Sequence, residues 1–133
     1  MTSVLDFAEK MVELAMEKPD LVYNSGVLGE HGDTMCLYLN PVDQTKGSCL
    51  VGQAAIACGV SPEVLREHEG RSAFTLIGHL LDQKLLDGAD GDLQDAIDST
   101  QTRQDGEDPW GVAVNESGLA HLVSLTKELQ EHK

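Results

Sequence analysis

Positive charge is scarce in this chain: nine Lys and Arg stand against 23 Asp and Glu, a formal net charge of −14 over 133 residues. The cations are scattered, and no two of them are adjacent. Such a balance opposes polyanions wherever there is no local basic patch, which argues against direct binding to nucleic acid or to an anionic membrane. The partners it fits are basic protein surfaces and cations. Aromatic residues are also few, 4% against 41% hydrophobic, so the core must be built from Leu, Val, Ala, Ile and Met, which suits helices. Long apolar runs are missing. Gly, Gln or His interrupts each candidate before the ~18 to 20 residues that cross a bilayer. The three cysteines, Cys36, Cys49 and Cys58, are an odd number. The first twenty residues alternate apolar and charged side chains, unlike a signal peptide. A cytoplasmic protein with free thiols, folded as one domain over residues 1–133, is the expectation.

The periodicity predicts a mainly helical α+β fold of five or six helices, with an all-α bundle as the alternative. Ser3 opens a capping-box-like Ser-Val-Leu-Asp. Val4, Phe7, Met11, Leu14 and Ala15 then recur at helical spacing, which predicts a helix over 3–17 that Pro19 ends. Met35 to Leu39 is the best strand, and pairing with 21–23 or 27–28 predicts one small β-hairpin within 21–39. Residues 49–58 carry no charge, follow Ser48 as a candidate cap and end at Gly59. They predict a central helix around which the others pack.

Ser61-Pro62-Glu63 starts a short helix that stops at Gly70, and Ser72 caps the next, with Phe74, Ile77, Leu80, Leu81 and Leu85 on its apolar face. Asp92 is read as the cap of a further helix and Gln101 to Glu107 as a loop. Asp108-Pro109 starts a last helix from Trp110 to about residue 129, interrupted at Ser117-Gly118. Trp110 is expected to anchor that helix to the core.

Chemistry is sought first at Cys49, because a thiol in the first turn of a helix lies among unpaired N–H groups at the positive end of the dipole. A thiol-dependent hydrolase or transferase using Cys49 is the enzymatic alternative, set against a small buried thiol packed between helices. Zinc could be drawn from His31, Cys36, Cys49, Cys58 and His68, but no two cysteines stand within the two to four residues usual in structural sites. No metal or cofactor is expected.

The segment 82–108 concentrates the charge: nine acidic residues against Lys84 and Arg103, a net of 2 − 9 = −7. Asp87, Asp90, Asp92 and Asp95 miss the ligand spacing of a calcium loop. Asp87, Asp90, Asp92, Asp95, Asp98, Glu107 and Asp108 are therefore the candidate binding residues of an acidic docking surface for a basic protein. The function expected is a non-enzymatic protein-binding accessory module, one that docks on a basic partner or takes the place of nucleic acid on it. A structural homo-oligomer, for instance a homodimer burying the Leu and Val stripe of 119–129, is a further alternative.

The strings Pro19-Asp20-Leu21-Val22-Tyr23, Cys36-Leu37-Tyr38, Ser48-Cys49-Leu50-Val51-Gly52 with Gly59-Val60, and Pro109-Trp110-Gly111 with Ala113-Val114 resemble a group of small uncharacterised acidic proteins of actinobacteria and their phages. That resemblance implies a cytoplasmic accessory protein of phage or host, and it carries over no catalytic or binding residue.

Overall fold

The computed structural model describes residues 2–24 and 37–131. Among them are seven helices: α1 (Val4–Glu17), α2 (Leu50–Ala57), α3 (Pro62–Glu67), α4 (Ala73–Asp82), α5 (Gly91–Asp105), α6 (Trp110–Glu116) and α7 (Leu119–Glu131). None of them is long and apolar enough to cross a membrane. The fold is mainly helical and closer to the all-α alternative than to an α+β domain.

The local signals act as expected in α1, where the Ser3 hydroxyl accepts from Asp6 N and the Asp6 carboxylate accepts from Ser3 N. Val4, Phe7, Ala8, Met11 and Ala15 turn into the core. α1 packs on α2, α5, α6 and α7, and α5 packs on α1, α2, α4, α6 and α7. The hub is thus this pair of long helices, not the apolar α2 expected at the centre. Its Gln53 and Ile56 are only half-buried and its Ala57 is exposed, so its neighbours cover only part of it. Gly52 explains how α2 nevertheless sits so deep: a Cβ there would fall on the Tyr38 carbonyl.

Of the hairpin expected within 21–39, the pairing with 21–23 is corrected. Residues 21–24 form no strand, and Val27, Leu28, Met35 and Cys36 lie outside the described residues. The Tyr23 side chain takes the place of a ladder there: Leu37 N donates to its hydroxyl at 3.2 Å, and the Ser48 hydroxyl lies 2.6 Å away. The β pairings among the described residues are two isolated bridges, Leu39 with Gly47 and Ser3 with Asp87.

Four helix boundaries are also corrected. The predicted loop over 101–107 is helical as far as Asp105, because Gln101 and Gln104 turn inward, and the cap of α5 is Asp90 instead of Asp92, with Asp90 Oδ1 accepting from Leu93 N at 3.1 Å. At α2 the cap is Cys49, since the Ser48 hydroxyl is engaged with Tyr23. Pro109 stands at the N-cap position of α6 with no side-chain capping bond, Asp108 turns to Arg103, and Gly118, at φ +82°, separates α6 from α7. Trp110 is buried, as an anchor requires. Phe74 and Leu85, expected on the apolar face of α4, are exposed, and Ala73, Leu76, Ile77 and Leu80 face inward.

Candidate functional site

α5 has two contrasting faces. Its inner face is half polar: Leu93, Ala96 and Ile97 alternate with Gln94, Thr100, Gln101 and Gln104, all buried. Buried amides are costly unless bonded, and these bonds hold the fold. Gln94 Oε1 accepts from Asp90 N, closing the helix start. Gln104, 1% exposed, accepts from Leu50 N at 2.8 Å and from Trp110 Nε1 at 3.2 Å. Gln101 Nε2 donates to Cys49 Sγ at 3.1 Å. α5 thereby fixes the start of α2 and the start of α6 together.

The outer face is acidic. Of the seven candidate binding residues, Asp87, Asp92, Asp95 and Glu107 are exposed. The other three are engaged by the chain itself: Asp90 caps α5, Asp98 Oδ1 accepts from Phe74 N at 3.1 Å, and Asp108 pairs with Arg103 at 3.3 Å. Asp82 at the end of α4 and Asp105 at the end of α5 are exposed as well. Arg103 is paired with Asp108, and Asp87, Asp92, Asp95 and Glu107 enter none of the ion pairs found among the described residues, so their charge stays uncompensated at the surface.

Cys49 is 0% exposed, and its Sγ accepts from both Gly52 N at 3.3 Å and Gln101 Nε2. This is a thiol used as a helix cap. His68 Nδ1 bonds the Val64 carbonyl, and its ring is tilted against that of His79, centroids 4.3 Å apart. Cys58, half-buried, has its thiol pushed up by burial, an effect that the nearby Lys10 partly offsets. Lys10 is itself held up by its hydrogen bond and charge contact with Glu13, and Asp43 is held down by the Thr45 hydroxyl and backbone N–H. Among the described residues no three His, Cys, Asp or Glu side chains gather as a metal site. His31 and Cys36 lie outside them.

Two open clefts flank α5. One of about 420 Å³ lies between it and the α3–α4 turn and mixes Arg71 with Asp98 and Asp105. The other, about 380 Å³, lies toward α7 and is lined by Asp92, Asp95, Ala96, Ser99, Ser117 and Leu122.

Several residues that organise this region are silent in the sequence. Gln101 and Gln104 read as loop polarity, and Gln94 as one more polar position of a helix. Glu69, whose carboxylate accepts from Tyr38 N at 2.6 Å and Leu39 N at 3.3 Å, reads as one more surface acid. The period of three and four that places Gln94, Gln101 and Gln104 beside Ala96, Ile97 and Thr100 is the signal that could have found them.

No family model, curated protein or solved structure matches the chain.

Proposed function

We propose that this protein is a non-enzymatic binding module that docks on a basic protein surface through the outer face of α5 and its flanks. The observation that carries this reading is the set of exposed carboxylates Asp92 and Asp95 on α5, Asp87 before its start and Glu107 just beyond its end, none of which enters an ion pair found among the described residues. A one-signed surface of this kind speeds encounter with an oppositely charged partner and makes it salt-sensitive. A surface that nucleic acid would otherwise occupy on its partner is the variant in which the carboxylates stand in for phosphates. The cytoplasmic setting, and an accessory role in phage or host, belong to the same proposal.

The two alternatives are weaker for stated reasons. A Cys49 nucleophile would need access and a base, whereas that sulfur is buried and caps α2. A homodimer through 119–129 would need an exposed stripe, whereas Leu119 and Val123 are buried within the chain and only Leu125 and Leu129 stand out.

The test is affinity capture from an actinobacterial lysate at two ionic strengths. The proposal expects basic proteins to be retained at low salt and released at high salt, with long DNA competing for them. Capture that is indifferent to salt contradicts it.

A further inference from the structure

We infer that the groove between α5 and the start of α7 seats one long cationic side chain of the docked partner. This deepens the reading above and rests on it. The groove, about 380 Å³ and open to solvent, has Ala96 and Leu122 as its apolar floor, Ser99 and Ser117 as its hydroxyl walls, and Asp92 and Asp95 on its rim. Asp92 and Asp95 stand three residues apart, on one face of α5. Both are exposed, and neither enters an ion pair among the described residues.

The Ser117 wall and the Leu122 floor are held in place. The Ser117 hydroxyl is 2.7 Å from that of Thr100 and donates to the Val114 carbonyl at 3.3 Å, and Leu122 packs on the core.

An apolar floor under a one-signed rim selects for a ligand that is apolar along its length and positive at its end. Lysine and arginine side chains have this form: they lay their methylenes on apolar surface and keep the charged head in water. A bare cation would leave the floor unused, and an anion would meet two carboxylates. The cleft on the other side of α5 lacks this selectivity, because Arg71 shares it with Asp98 and Asp105.

The probe is decalysine, titrated at low ionic strength into the isotope-labelled protein. The Leu122 and Ala96 methyl resonances are expected to shift saturably. Ser99→Phe, which fills the groove without changing charge, and the pair Asp92→Asn with Asp95→Asn are each expected to weaken binding about tenfold or more, the equivalent of one lost charged contact. The pair Asp82→Asn with Asp87→Asn removes the same charge outside the groove and is expected to weaken it less than about threefold. If both Asn pairs weaken binding equally and the Leu122 methyls stay still in the unaltered protein, the groove is not the seat, while docking on the acidic face stands. If decalysine fails to bind the unaltered protein at low salt, both fall.

Discussion

The indole Nε1 of Trp110 donates to the side-chain oxygen of Gln104 at 3.2 Å, and the same oxygen takes the backbone N–H of Leu50 at 2.8 Å. One amide thus satisfies two buried donors from two different helix starts. Gln104→Leu keeps the bulk and strands both, at about 3 kcal/mol. Denaturant unfolding followed by Trp110 fluorescence checks this, with a lower midpoint at unchanged slope expected. An unchanged midpoint would mean that water replaces the amide.

Three glycines separate space from flexibility. At Gly52 a Cβ meets the Tyr38 backbone, and at Gly111 it lies 2.8 Å from Pro19 Cβ, whereas at Gly78, within α4, it meets nothing within 4 Å. Gly52→Ala is expected to cost about 3 kcal/mol or more, because it is backbone that must move, and Gly111→Ala less. Gly78→Ala is expected to gain about 0.5–1 kcal/mol through helix propensity. Thermal melts order the three.

Lys84 and Glu107 occupy the left-handed region, at φ 58° and 72°, each just beyond the C-terminal end of a helix. The bonds from Leu85 N to Leu80 O and from Asp108 N to Arg103 O close those ends in the manner that normally takes glycine. Lys84→Gly and Glu107→Gly are each expected to stabilise by about 0.5–1 kcal/mol, the relief of left-handed strain less the greater freedom of glycine when unfolded. A loss of stability in either variant would contradict this.

Much of this fold is legible in the order of residues alone. The Ser3 capping box, the charge-free stretch 50–57, Gly59 beyond its end and the break at Ser117-Gly118 act through local geometry, and local geometry is what periodicity and capping read. The continuation of α5 through Gln101–Asp105 is not legible, because its stabilising bonds run to Cys49, Leu50 and Trp110, all outside the helix itself. The hairpin pairing with 21–23 fails for a similar reason: Tyr23 satisfies Leu37 with a hydroxyl, a bond that no strand pattern encodes. In the candidate site, composition locates the acidic segment but does not separate Asp90, Asp98 and Asp108, which bind their own chain, from Asp87, Asp92, Asp95 and Glu107, which face solvent.

The thiols give a pH-dependent test. The thiolate is the form that reacts, and burial raises Cys58, so its alkylation by iodoacetamide at pH 8 is expected to be slower than that of a free thiol and to keep rising at higher pH. Because the folded value lies above the unfolded one, the contribution of Cys58 to stability is whole below about pH 8.5 and fades as pH climbs through the raised folded value. Cys49, fully buried, is expected to react only as fast as the protein opens. Mass spectrometry of timed alkylations reads both sites, and rapid labelling of Cys49 with Trp110 still buried would revive the nucleophile.

The location of the docking surface is tested most directly by two variants of equal charge. One removes Asp87, Asp92 and Asp95 as Asn, and the other replaces Glu17, Asp20 and Glu63, all exposed but away from α5, with Gln, Asn and Gln. With capture measured at low and high salt, the second variant is expected to retain the salt-sensitive partners of the unaltered protein and the first to lose them. Equal retention, or equal loss, would show that charge alone and not the face of α5 governs binding.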